Sequence, residues 1–209
     1  MQFNKMAYVI HEDHNSINED DAVQVNGVQF KVFMPKRILQ MPAEQLGAMI
    51  DVELGIQITN NTSNPLNFCF FNALTPELMI DQQIFRLKDR WSDWYRWDLF
   101  DDDFALAQPG ETVTFLTDAL ITTTKGEIFD LKIPFGDGSY WIFSGLFGLR
   151  PLKKYRIRFQ YENEIHKAEV NYSQSGKIYT RIREKKQIEN IWTGKVRLPL
   201  VEFSLEKDG

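Results

Sequence analysis

Cysteine and histidine are scarce in this chain: Cys69 stands alone, and His11, His14 and His166 are the only histidines among 209 residues. A single thiol excludes an intrachain disulfide framework and a cysteine-rich zinc site, and it suits a reducing compartment. His11 and His14 flank Glu12 and Asp13 but lack the further ligands that zinc needs, so they read as part of an acidic arm. With so few imidazoles and no Gly-x-Ser-x-Gly, no Ser/His/Asp or Cys/His set can be assembled, and the chain is expected not to be an enzyme. No glycine-rich phosphate loop opens a helix, and no cofactor or metal is expected.

Positive charge is also short. Lys and Arg number 24 against 29 Asp and Glu, a net charge of -5. Without a basic excess to displace counterions, nucleic acid is not an expected partner. No apolar run reaches the roughly 18 residues of a membrane span. His11-Glu12-Asp13 and Glu19-Asp20-Asp21 stand where a secretory leader needs a basic start and an apolar stretch. The expected location is the cytoplasm, and the Asn-x-Ser/Thr triplets at Asn60, Asn61 and Asn171 then read as polar turns.

What the chain does have is 43% hydrophobic residues, enough to bury a core as one domain over 22–209, preceded by an acidic arm over 1–21 that is weakly ordered or adds one strand. Apolar residues recur at intervals of two, as Val28, Phe30, Val32 and Met34, and then as Ile50, Val52, Leu54, Ile56 and Ile58. That period predicts half-buried strands. The second run stops at Thr59-Asn60-Asn61-Thr62-Ser63-Asn64-Pro65, a turn-forming cluster, and a strand returns over 66–71. Short strands are also predicted over 112–116, 128–135 and 140–143, the last after the turn Gly136-Asp137-Gly138-Ser139. Helix is confined to two candidate turns, Pro42 to Leu46 and Pro76 to Met79.

Tyr155, Ile157, Phe159 and Tyr161 alternate with Arg156, Arg158 and Gln160, which predicts one core face and one solvent face. The last strand, 196–205, changes phase between Leu200 and Val201, and a bulge near Pro199 reconciles the halves. The polar stretch 163–190 reads as an elaborated hairpin projecting from the domain. Many short strands without a repeating strand-helix unit predict an all-β fold, a two-sheet antiparallel β-sandwich of immunoglobulin-like type with that hairpin near the C-terminus.

Three segments resemble bacterial immunoglobulin-like domains: Ile56 to Leu66 with its Asn-rich turn and Pro65, Ala107 to Phe115 with Pro109-Gly110-Glu111, and Leu152 to Tyr161 followed by Trp192 to Val196. The resemblance implies a sandwich in which Tyr155 ties a loop to the sheet as a tyrosine corner. Tyr95 to Phe100, with Phe104 to Ala107 and Pro109-Gly110-Glu111, is similar to the middle of bacterial intracellular proteinase inhibitor domains. No inhibitory residue follows from that similarity, because the hairpin at 163–190 departs from the pattern.

The most unusual local feature is Trp91-Ser92-Asp93-Trp94-Tyr95-Arg96-Trp97. On a strand, Trp91, Tyr95 and Trp97 share one face and belong to the core, while Trp94 falls on the other face and, with Arg96, is a candidate contact for a protein or a sugar ring. The basic segment containing Arg181, Arg183 and Lys185 is the second candidate contact, set against its plainer reading as a solvated hairpin face. Asp101-Asp102-Asp103 lacks the ligand spacing of a calcium loop and reads as a solvated acidic turn. Cys69 between Phe68 and Phe70 reads as a small buried hydrophobe. The function these features lead to is a non-enzymatic module that binds a protein partner. An intracellular proteinase inhibitor is the alternative, and a carbohydrate-binding or carbohydrate-active protein using the tryptophan cluster is the alternative of another class.

Overall fold

Alternating side chains give each strand two faces, and the tertiary structure decides which face is covered. In the computed structural model of the chain, the described residues are 7–10, 22–43, 45–87, 98–124, 128–134, 139–144, 148–151, 153–171 and 185–206. Their strands are β1 (Ala7–Ile10), β2 (Val23–Val25), β3 (Val28–Phe33), β4 (Ile38–Gln40), β5 (Met49–Val52), β6 (Gly55–Asn60), β7 (Leu66–Cys69), β8 (Leu74–Ile80), β9 (Gln83–Leu87) and β10 (Phe104–Ala107). There follow β11 (Thr112–Leu116), β12 (Ala119–Thr123), β13 (Phe129–Pro134), β14 (Tyr140–Phe143), β15 (Lys154–Asn163), β16 (Ala168–Asn171), β17 (Lys185–Ile188), β18 (Gly194–Arg197) and β19 (Val201–Glu206). No α-helix occurs among the described residues; Asp101–Asp103 makes a single 3-10 turn.

The fold is all-β and sandwich-like, built from several sheets. The largest runs β1-β9-β8-β15-β19-β4, with β18 also on β15. A second runs β11-β6-β3-β2 and a third β14-β13-β12-β5, while β10-β7 and β16-β17 are two-stranded. Among the described strands every pairing is antiparallel except β19 with β4, and the isolated bridges Asn67–Ile191 and Phe100–Asn171 are parallel. One apolar core joins the three larger sheets and includes Phe30, Ile56, Phe68, Ile121, Phe143, Phe159 and Phe203.

Asn60 shows how the Asn-rich turn is held. It is fully buried, and its amide donates to the carbonyls of Asn64 (2.8 Å) and Ala107 (2.9 Å), while its side-chain oxygen accepts from the Thr62 backbone and hydroxyl. Gly110 N–H in turn donates to the Asn60 carbonyl, so the two turn segments singled out in the sequence are latched together. Tyr155 ties the preceding loop to β15: its hydroxyl accepts from Arg150 N–H at 2.6 Å and lies 3.3 Å from the Arg150 carbonyl.

Several expectations need correction. The run Ile50 to Ile58 is two strands in two sheets, β5 and β6, because the chain crosses between sheets at Glu53-Leu54, where the Leu54 carbonyl accepts both the backbone and hydroxyl of Thr117. Gly55 begins β6 where a Cβ would lie 1.9 Å from the Phe115 carbonyl oxygen, so only glycine allows β11 this close. Pro76 to Met79 is not a helical turn but the middle of β8, and the described residues of 42–46, all but 44, form no helix, Ala48 N–H donating back to the Gln45 carbonyl. Strand pairing on both sides overrides the local preference of Pro-Glu-Leu-Met.

The stretch 196–205 is divided into β18 and β19, both on the same edge of β15. Arg197 faces Gln160 and Val201 faces Ile157, so four steps along one chain oppose three along the other, the extra residue of a bulge. Leu200 is thereby turned to pack with Met79 and Ile84 rather than with the main core. The hairpin strands β16 and β17 do not simply project: Ala168, Val170 and Ile188 form a second core with Cys69 and Ile191.

Candidate functional site

On β8, Leu74, Pro76 and Leu78 face one way and Thr75, Glu77 and Met79 the other, a consequence of strand period alone. Register then sets Glu77 between Arg86 of β9 and Arg158 of β15, and one strand further Arg197 of β18 faces Gln160. Four neighbouring strands thus bring three guanidiniums to one carboxylate on the sheet's outer side. Glu77 Oε2 accepts from Arg158 Nε at 2.7 Å and from Arg197 Nη2 at 2.8 Å and Nε at 3.0 Å, and Oε1 accepts from Arg86. Arg86 also donates to Gln160 (3.3 Å), whose amide donates to Glu162 (2.9 Å), which Lys195 caps at 2.8 Å.

Glu77 is fully buried and Arg158 nearly so, while Arg86 and Arg197 keep about a third of their side chains accessible. This corrects the expected solvent face of β15: Arg158 and Gln160 are buried. Burial by itself raises the Glu77 pKa, but hydrogen bonds from Arg158 and Arg197, the charge of Arg158 and the bond from Arg86 together hold it below the usual carboxylate range. A carboxylate held ionised with its lone pairs occupied is unsuited to donating a proton as a general acid. What the cluster does chemically is fix the register of four strands, since sliding any one of them strands a buried charge.

A second feature lies at the sheet edges. Ile38, Leu46 and Met49 are 55%, 76% and 61% exposed, and they are three of the five exposed large apolar residues among the described residues, with Leu106 and Leu116. They fall on one stretch that runs from β4, paired only with β19, to β5, paired only with β12, among the described strands. Gly47 and Ala48 bond to Thr123, which pins Leu46 and Met49 beside the end of β12. Exposed Lys36 lies at one end of this stretch and exposed Asp51 and Glu53 at the other.

Of the residues singled out in the sequence, Trp94, Arg96, Arg181 and Arg183 lie outside the described residues, as do Trp91, Tyr95 and Trp97, His11 and His14, and the turn 136–138. Lys185 is on β17, exposed, and paired with Glu169. Asp103 bonds back to Phe100 N–H at 2.8 Å, and no group of three or more His, Cys, Asp or Glu that could hold a metal ion occurs among the described residues. Cys69 is buried, its carbonyl accepting the Tyr161 hydroxyl at 2.9 Å, and His166 is exposed. Sequence reasoning missed Glu77 because Pro76 suggested a helical start, and it missed Ile38, Leu46 and Met49 because isolated apolar residues in a turn-rich stretch carry no period. Compared with protein-family models, with curated proteins and with solved structures, the chain finds no match in any of the three.

Proposed function

We propose that this chain is a cytoplasmic, non-enzymatic module of immunoglobulin-like sandwich type that binds a protein partner along residues 38–49. The observation that carries this reading is that Ile38, Leu46 and Met49, three of the five exposed large apolar residues among the described residues, all fall on the single stretch of chain joining edge strands β4 and β5. Scattered single apolar residues need no explanation, whereas grouped ones mark contact surfaces. Lys36 at one end and Asp51 and Glu53 at the other give the contact an orientation, since a partner must present an acidic group opposite Lys36 and basic groups opposite Asp51 and Glu53.

The test compares the tagged chain with a Leu46→Lys/Met49→Lys variant in cytosolic extract from the source organism. The expected result is a protein captured by the parent, lost with the variant, and not explained by unfolding, since parent and variant should melt alike. Identical capture by the two would sink the reading. An intracellular proteinase inhibitor is one form of such a module, and a protease as the lost protein would select it.

A further inference from the structure

Register assigns every outward residue of the β11-β6-β3-β2 sheet to a row. The first row, across all four strands, is Gln24, Gln29, Thr59 and Thr112. The second is Lys31, Gln57 and Thr114, and the third is Phe33, Gly55 and Leu116. The alternate residues Val28, Phe30, Val32, Ile56 and Ile58 are buried, which fixes these rows as the outer face. Among its ten positions Lys31 is the only charge, in a chain that is 25% charged.

The chemistry of the first two rows, Lys31 apart, is amide and hydroxyl, and the third row is apolar. Thr59 and Thr112 share a hydroxyl hydrogen bond at 2.8 Å, and Gln57 donates to Thr114 at 3.3 Å, so these groups are held in place. Gln24 and Gln29 are exposed neighbours across the β2–β3 pair, and neither amide has a side-chain hydrogen bond among the described residues. Each glutamine and threonine both donates and accepts. Half-buried Phe33 adds an aromatic surface at the edge of the array. With strands about 4.8 Å apart, the face is wide enough for a short run of sugar rings.

We infer that this face binds a neutral polysaccharide. Sugar hydroxyls match groups that donate and accept together, and the C–H face of a ring matches Phe33. Charge complementarity decides against the other classes: a nucleic acid, an anionic lipid surface or a charged protein patch meets only Lys31 here. This surface shares no residue with the 38–49 stretch and does not depend on protein binding there.

The experiment is native electrophoresis of the full chain in gels containing hydroxyethylcellulose, glucomannan or dextran, with heparin as the charged control. Retardation by at least one neutral polymer is expected, with affinity reduced at least tenfold by Gln29→Ala/Gln57→Ala and by the milder Thr114→Val, each checked by circular dichroism to be folded. Mobility unchanged in all three neutral gels overturns the inference. So does retardation that the folded variants retain, or retardation by heparin alone.

Discussion

Two outer faces of the same molecule solve the problem of polar side chains on a sheet in opposite ways. Across β9, β8, β15 and β18 the outward face holds a partly buried ionic cluster, Glu77 with Arg86, Arg158 and Arg197, beside the apolar Met79 and Ile84. Across β2, β3, β6 and β11 the polar outward residues are amides and hydroxyls, exposed or half-buried, with one lysine, and the remaining row is Phe33, Gly55 and Leu116. The difference teaches that alternation says which residues share a face and not whether that face is wet. A charge taken out of water must keep every partner, whereas a neutral group in water can lose its partner cheaply.

The comparison breaks first at Glu77. Glu77→Ala should cost about 3–5 kcal/mol in urea denaturation, because it leaves buried Arg158 without its carboxylate. That equals the roughly 3–5 kcal/mol expected for Phe159→Ala on the opposite face of β15. A loss below about 1 kcal/mol for Glu77→Ala would mean the cluster fixes nothing. Replacing Glu77, Arg158 and Arg197 together by Leu, Met and Met should cost much less than Glu77→Ala alone, since it removes both buried charges with their desolvation penalty and leaves only Arg86, a third of whose side chain reaches water. A triple variant less stable than the single one would assign the cluster net stabilising energy.

Acid sharpens the contrast. Because the Glu77 pKa is lower in the folded chain, its contribution is complete above the unfolded carboxylate value of about 4.3 and is lost as pH falls through the depressed folded value. The stability of the parent should therefore fall more steeply with acid than that of Glu77→Gln, and parallel acid titrations of the two would refute the assigned partners. The smallest effect is expected on the neutral face, where Thr59→Val/Thr112→Val should change stability by no more than about 0.5 kcal/mol in the same denaturation assay. A loss above about 2 kcal/mol there would show that this face is not simply exposed to water.

Much of the interior was legible in the sequence, because Phe30, Ile56, Ile58, Tyr155, Ile157, Phe159 and Tyr161 are large, apolar and in strict alternation, and all are buried. The phase change before Val201 was legible for the same reason. Which sheet each strand joins was not: Ile50 to Ile58 keep one phase across a crossing between sheets, since facing inward is the same requirement in both. Nor was the ionic cluster, whose four members come from residues 77, 86, 158 and 197 and meet only through pairings between distant strands. The exposed apolar edge was hidden for the opposite reason, because Ile38, Leu46 and Met49 carry no pattern until burial elsewhere singles them out.

The extra residue between Arg197 and Val201 acts like a change of reading frame. Upstream of it, Val196 and Leu198 face the core; downstream, Val201, Phe203 and Leu205 do, one step out of phase. What the segment transmits is therefore a count and not a composition. Many side chains would serve at position 199, but a chain one residue shorter would carry the whole final strand to the wrong side of its sheet.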